Sequence, residues 1–399
     1  MVRRALILGA SLALAGCPPA DDDDDATDDD DSTQSTDGDC PELTFDCAGA
    51  PTLSGGFDTV SFDWTWSDDC SSSIGPMQTF IVPDDIVSLA LTIDSADFWT
   101  GFALLHVGGE TWVDWTGNEG PLWEELPLWH YPTIAGSAVL PMDDSTYPNP
   151  GCMAVLPIVD YDDATGWPAE LTVVSRLAGI DNPAVDLNFV ILEGSGITET
   201  QVNEALAVMD QLWFEQDGAA VGTVSIETID YEGGFVSSEG EDIQDLRASY
   251  DADEGALAVF FIADFLDEAG TLGIASGIPG PLGVPGTQGS GLVLSVDSHR
   301  DFDDTVLTTL LGETMTHELG HQMGLFHTTE AEGEYHDGIS DTPECTPDFD
   351  TNGDGWVDAD ECEGQGGENV MFWTSTDSFR QDRLTPIQAD VFYFSPVNR

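Results

Sequence analysis

Eleven residues, His317-Glu-Leu-Gly-His-Gln-Met-Gly-Leu-Phe-His327, constrain this chain more than any other stretch. Histidines four apart fall on one face of a helix, where both rings can hold one metal ion. Glycine at 324 allows a left-handed residue that ends the helix and turns the chain sharply. The turn brings His327 back as a third ligand. Any fold that takes this segment must supply a helix, an abrupt stop and a chain reversal around one centre. Three imidazoles suit zinc with one coordination position left open. Glu318 follows the first ligand beside that position, placed to take a proton from attacking water and pass it to a leaving amine. With 42 glycines and 7 histidines in 399 residues, Gly324 and His327 would both fall in place by chance with a frequency of roughly 0.002.

Around this segment strands and helices alternate. Val185–Leu192 (VDLNFVIL) has the composition of a strand. Thr198-Glu-Thr-Gln201 forms a capping box, in which the Thr hydroxyl and the Gln amide satisfy orphan backbone donors. Val202, Leu206, Met209 and Trp213 recur at helical spacing and predict an amphipathic helix over 199–216. Val221–Ile229 and Ala256–Leu266 predict strands, the second apolar throughout and therefore central. Residues 273–290 are rich in Gly and Pro, Gly291–Val296 returns as a strand, and a helix runs from about Asp304 to Met323. The order β-α-β-β-β-α fits a three-layer α/β domain over residues 181–399. His299 and His336 read as structural or surface residues, with His336 a weaker alternative ligand because it follows His327 closely.

A second metal motif lies inside this half. Asp350-Thr-Asn352-Gly-Asp354-Gly355-Trp356-Val-Asp358-Ala-Asp360-Glu361 matches the twelve-residue EF-hand calcium loop position by position. Side-chain oxygens come from Asp350, Asn352, Asp354, Asp358 and Glu361, a carbonyl comes from Trp356, and Gly355 permits the turn. Pro343 and Pro347 precede the loop and no long helix flanks it, so it reads as a stand-alone, dockerin-like loop. The alternative is an acidic loop in an aspartate-rich chain. Cys345 and Cys362 bracket it and are the best-placed disulfide pair.

From Cys40 to about Leu177 the texture changes. Thr59–Trp66, Val87–Ile93, Phe102–Val107, Thr111–Trp115 and Leu171–Val174 are short apolar runs between Gly, Pro, Asp and Ser, with no helical stripe. They predict an all-β, sandwich-like accessory domain over 40–180, making the chain two-domain. Eight of the 11 tryptophans fall here: Trp64, Trp66, Trp99, Trp112, Trp115, Trp123, Trp129 and Trp167. They either fill the sandwich core or present a stacking face for sugars or peptides. His106 and His130 stand apart from other ligand types and read as structural. Cys40, Cys47, Cys70 and Cys152 would pair among themselves with connectivity open. Cys152 is alternatively a free thiol holding the metal centre latent.

Arg3 and Arg4 precede an apolar run from Ala5 to Gly16, too short for a spanning helix. Leu14-Ala15-Gly16-Cys17 resembles the lipobox of bacterial lipoproteins, which implies a signal peptide over 1–17 and a lipid anchor on Cys17. An ordinary secretory signal is the alternative, and both readings imply export. Residues 18–39 hold 11 aspartates and read as a disordered tether kept extended by self-repulsion. Composition limits the partners. With 76 Asp+Glu against 8 Lys+Arg and a net charge of −68, a phosphate backbone is repelled and nucleic acid is excluded. No basic patch is present to dock anionic lipid, so a membrane is reached only through the anchor. The acidic excess beyond tether and loop reads as surface adaptation to salt or divalent ions, with a preference for basic substrates. Nothing in the sequence bears on oligomeric state.

HExxHxxGxxH is the pattern of the metzincin zinc proteases, which also carry a methionine turn beneath the metal. Asn369-Val-Met371-Phe-Trp373 supplies that turn, with Met371 as an apolar floor that does not bind zinc. Asp341-Thr-Pro343, Cys345, the Asn-x-Met turn and Arg383-Leu-Thr-Pro-Ile-Gln388, in that order, resemble the pappalysin group over roughly residues 185–395. The resemblance implies a secreted zinc endopeptidase, with His317, His321 and His327 on zinc, Glu318 as general base and structural calcium. It also implies a protein or peptide substrate paired to an upper strand, either Gly291–Val296 or the Gly-rich stretch before it. One departure concerns Trp373, which stands where pappalysins carry tyrosine. Its indole N–H offers one hydrogen bond and no zinc ligand, making Trp373 a candidate transition-state contact. The rival reading is a catalytically silent zinc- and calcium-binding surface adhesion protein on the same fold. Intact Glu318 argues against it.

Overall fold

The computed structural model describes residues 44–67, 72–95, 98–114, 135–143, 145–159, 164–180, 182–216, 219–238, 241–250, 255–376 and 378–399. The signal segment with Cys17, the acidic tether, Cys40, Cys70, Trp115, Trp123, Trp129 and His130 lie outside the described residues.

As far as residue 177 every regular element described is a strand: β1 (Gly56–Asp63), β2 (Thr65–Ser67), β3 (Ser72–Ile74), β4 (Gln78–Val82), β5 (Ile86–Asp94), β6 (Thr100–Val107), β7 (Glu110–Asp114), β8 (Ala135–Leu140), β9 (Gly151–Val159) and β10 (Pro168–Leu177). They pair antiparallel into one sheet of order β1-β10-β5-β8 and a second of order β2-β3-β9-β6-β7, with β4 also on β9. Alternate residues turn inward. Leu89, Leu91 and Ile93 of β5 share an apolar cluster with Leu171 and Val173 of β10 and with Phe102, Leu105 and Val107 of β6. Trp64 and Trp112 are buried, while Trp66, Trp99 and Trp167 are exposed. His106 shares a 2.9 Å hydrogen bond with the Thr111 hydroxyl, as a structural residue does. Cys47 is bonded to Cys152 with Cα atoms 5.7 Å apart, so Cys152 is no free thiol and the latency switch falls.

After residue 181 the elements are β11 (Ala184–Leu192), α1 (Glu199–Gln216), β12 (Ala220–Ile229), β13 (Phe235–Val236), α2 (Glu241–Ala248), β14 (Leu257–Ile262), β15 (Asp264–Phe265), β16 (Gly273–Ile274), β17 (Leu292–Ser295), α3 (Thr308–Gln322) and α4 (Pro386–Phe394). The main sheet has the order β12-β11-β14-β17-β16, parallel except for the antiparallel edge strand β16. Strand alternation assigns the layers. Phe189, Ile191, Val259, Phe261, Leu292 and Leu294 share a cluster with α1 and α3. Val190, Leu192, Ala258, Phe260, Ile262 and Val293 pack with Ile243 and Leu246 of α2. Helices therefore cover both faces.

Three expectations change here. Helix α2 is additional to the expected order. Helix α3 begins at Thr308 and not at Asp304, because Asp304 has φ +70 and Leu307 N–H donates back to the His299 carbonyl. Strand β17 is paired on both sides, so Gly291–Val296 is no free edge; the edge is β16, within the Gly-rich stretch. Among the described residues no helix is long and apolar enough to cross a membrane.

The texture shifts near residue 180, yet one apolar cluster runs across it. Leu89, Phe102 and Val139 belong with Phe189, Val202, Leu319 and Val391. The Arg176 guanidinium of β10 donates to the Tyr393 carbonyl of α4 and lies 5.4 Å from the Tyr393 ring centre.

His299 sits in the turn after β17, fully buried, with Nδ1 2.6 Å from the Ser295 carbonyl and Nε2 2.9 Å from the Thr314 hydroxyl. Burial holds the ring neutral, bringing its pKa down to about 4 from 6.5. Between those values the unfolded chain takes up a proton that the folded chain refuses. The stability contributed by this site is therefore present above pH 6.5 and is lost as pH falls towards 4. Asp94 and Asp337, raised by burial to about 6 and about 7, act in the opposite sense and are common to wild type and variant. Urea unfolding at pH 7 and pH 5 should show His299→Gln losing about 2 kcal/mol less than wild type on acidification. Equal losses would remove His299 from the account.

Candidate active site

Every residue of α3 from Leu311 to Gln322 is buried, as a helix enclosed between a sheet and further chain must be. His317 and His321 project from one face of it. The helix ends through Leu325 N–H donating to the Gly320 carbonyl at 2.8 Å and Gly324 N–H to the His321 carbonyl at 2.9 Å. Gly324 has φ +107, and a Cβ there would lie 2.8 Å from Val139 Cγ1 of β8. Conformation and space both demand glycine.

The reversal delivers His327. Its Nε2 is 3.1 Å from His321 Nε2 and 3.2 Å from His317 Nε2. The other ring nitrogens are all occupied. His317 Nδ1 donates to the Val370 carbonyl at 2.6 Å and His321 Nδ1 to the Leu325 carbonyl at 2.7 Å. His327 Nδ1 meets both Glu330 carboxylate oxygens at 3.0 and 3.1 Å. A carbonyl can only accept, so on His317 and His321 the proton resides on Nδ1 and the Nε2 lone pair faces the common centre, where Nε2 of His327 also lies. Burial first, and then the neighbouring rings, bring His317 down to about 3 and His321 well below the usual histidine range. Neutral imidazoles with oriented lone pairs are ligands in waiting. Zinc held tetrahedrally at about 2.0–2.1 Å needs nitrogens about 3.3 Å apart, and these spacings fit it. Among the described residues, these three are the only group of His, Cys, Asp or Glu close enough to hold a metal. His336, partly buried, is not brought to the centre.

Met371 forms the floor. A Cβ on Gly320 would lie 2.4 Å from Met371 Sδ, so the sulfur occupies the space that a side chain at 320 would take. The turn carrying Met371 is built by Asn369, whose Oδ1 accepts Met371 N–H at 2.8 Å and whose Nδ2 donates to Gln388 Oε1 at 2.7 Å. Gln388 and Thr385 form the capping box that starts α4. Asp341 accepts Ile387 N–H at 3.1 Å, and Thr328 N–H donates to the Met371 carbonyl at 3.0 Å. The scattered Asp-Thr-Pro, Asn-x-Met and Thr-Pro-x-Gln pieces thus meet around one turn. Gly320→Ala should overpack this contact and cost about 1–3 kcal/mol of stability, read from thermal unfolding. A variant as stable as wild type would mean that Met371 moves freely.

Glu318 is fully buried between α3 and β16. A Cβ on Gly273 would come within 2.8 Å of its Cγ. Its Oε2 accepts Ala275 N–H at 2.8 Å, and its Oε1 has no hydrogen-bond partner. Burial pushes its carboxyl up to about 8, opposed by the Ala275 amide and the charge of Arg247. Sequence reasoning missed Glu330, Ala275 and Arg247. Two of these act through a backbone amide or from a separate helix, which no motif spacing records.

Trp373 packs in the cluster of the acidic loop, against Trp356. It is nearly buried, and its indole N–H donates to the Val357 carbonyl at 2.7 Å, so this donor is committed to the fold and the transition-state role is withdrawn. Val357 lies in the acidic loop, packed with Cys345, Cys362, Phe372 and Trp373. The Cys345–Cys362 disulfide forms as expected. Within the loop Asp350 accepts Gly353 and Gly355 N–H, Asn352 accepts Asp354 N–H, and Asp354 accepts Trp356 N–H. Asp358 accepts Glu361 N–H, and Glu361 accepts Thr351, Asn352 and Asp358 N–H. These oxygens accept backbone N–H groups, and among the described residues the loop carboxylates do not form a group close enough to hold a metal, so calcium is carried by the residue pattern alone.

No protein-family model and no curated protein matches the chain. Among solved structures it is similar to metalloproteinase-II from Bacteroides fragilis, at 20% identity over 40% of this chain and 48% of that one, with a TM-score of 0.28. It is also similar to archaemetzincin from Methanopyrus kandleri, at 19% identity over 38% of this chain and 79% of that one, with a TM-score of 0.28. The chain spans about half the length of the Bacteroides protein it matches. Both scores are low. The site stands on its own geometry.

Proposed function

We propose that the protein is a zinc-dependent endopeptidase of metzincin, pappalysin-like type. The observation that carries this reading is the set of three Nε2 atoms turned on one point by three occupied Nδ1 atoms, with buried Glu318 on the same helix. Zinc, when bound, supplies Lewis-acid polarisation of the scissile carbonyl and activation of water. The chain supplies the rest. His317, His321 and His327 hold the ion, and Glu330 fixes the third ring. Glu318, anchored through Oε2, keeps Oε1 to receive the proton of the attacking water and return it to the leaving amine. Edge strand β16 offers backbone to an extended peptide, which would add to the sheet.

Purified protein with zinc should cleave a quenched peptide library, lose this with a chelator and regain it on zinc addition. Absence of cleavage with zinc and calcium both supplied would sink the enzyme and favour a silent binding protein. We further propose calcium in the 350–361 loop, on Asp350, Asn352, Asp354, Trp356, Asp358 and Glu361. Calcium should raise the melting temperature, and Glu361→Gln should remove that rise; an unresponsive wild type refutes it. We also propose export, with anchoring through Cys17, on the resemblance of Leu14-Ala15-Gly16-Cys17 to a lipobox.

A further inference from the structure

Helix α2 carries an arginine in its last turn, Arg247, and the fold buries it to 5% exposure. A guanidinium out of water needs acceptors and an opposite charge. One acceptor is the Ile274 carbonyl of edge strand β16, 3.2 Å from Nη2, while Nε has no hydrogen-bond partner. The same peptide unit continues to the other side. Its N–H, that of Ala275, donates to Glu318 Oε2 at 2.8 Å. One amide therefore stands between a cation and a carboxylate, its C=O on the guanidinium and its N–H on the carboxylate. Its dipole is aligned with both charges, so each hydrogen bond strengthens the other. Arg247 is also the cation whose charge bears on Glu318. It approaches from the sheet face opposite α3, since α2 packs on the other side of β14.

We infer that Arg247 is a positioning residue for the hydrolytic reaction, holding Glu318 and edge strand β16 in register through the Ile274–Ala275 peptide. The inference rests on the endopeptidase reading above. It separates two properties of the residue. The aliphatic stem fills space, and the charge acts through the amide on Glu318. Removing the charge should therefore impair turnover more than substrate binding, and returning a charge should restore it.

The test is steady-state kinetics of the zinc-loaded Arg247→Met and Arg247→Lys variants, with zinc content and circular dichroism recorded beside them. R247M should lose about tenfold or more in kcat with KM within about twofold of wild type, and R247K should recover to within about threefold. Three results overturn the inference: an R247M kcat within twofold of wild type, an equal loss in both variants, or a change confined to KM. Should R247M fail to fold, R247Q takes its place under the same criteria. Failure of both neutral variants to fold assigns Arg247 to stability alone and also overturns the inference. A wild type without hydrolysis is a failure of the endopeptidase reading, and hydrogen exchange at the Ala275 amide then decides. Exchange at least about tenfold faster in R247M than in wild type supports the link, and equal protection overturns it.

Discussion

Glu318→Gln is expected to lower kcat for peptide hydrolysis by about 10²–10⁴-fold, the range supplied by a positioned general base. The amide keeps the shape of the side chain and an oxygen for Ala275 N–H, whose bond to Oε2 is 2.8 Å. What it removes is the atom able to receive a proton. Stability should hold or rise, because the carboxylate is fully buried and burial already pushes its pKa up to about 8. Zinc content by elemental analysis should match wild type, since Glu318 is not among the three converging ligands. A Gln variant that turns over peptides at the wild-type rate would remove Glu318 from the chemistry and leave only the metal centre.

His321→Ala should act on the metal itself. His321 is the middle member of the triad, 3.1 Å by Nε2 from His327, and its Nδ1 ties the ring to the Leu325 carbonyl in the turn that returns the chain. The substitution removes one of three ligands and leaves a buried carbonyl without its donor. Zinc affinity in a competition assay should weaken by at least about 100-fold, about 2.7 kcal/mol, and hydrolysis should vanish with the ion. Wild-type affinity in this variant would place the metal elsewhere.

The centre was legible because its chemistry is local. Eleven consecutive residues encode a helix, a stop and a return, and the structure brings His317, His321 and His327 together as their spacing requires. Helix α1 was equally plain, because Thr198 and Gln201 mark its start and Val202, Met209 and Trp213 mark its buried face. Helix α2 was not. Its eight residues, EDIQDLRA, offer Ile243 and Leu246 as the only buried aliphatics, too short a pattern to show a period. The roles of Trp373 and β16 depended on contacts across the fold. The indole reads from the sequence as a transition-state candidate, and only a contact from across the fold, with the Val357 carbonyl, commits its N–H. An edge strand of two residues carries no periodicity at all.

The frame around Met371 depends on α4, which follows every other element in the chain. Asn369 is held by Gln388, and Gln388 takes that position only because Thr385 and Pro386 begin a helix. The order of synthesis therefore matters. A growing chain acquires the three histidines well before the residues that brace the floor beneath them. Interrupted upstream of Thr385, such a chain would hold every ligand and yet lack the support that keeps them aligned. Full bracing of the three histidines thus waits for the emergence of α4.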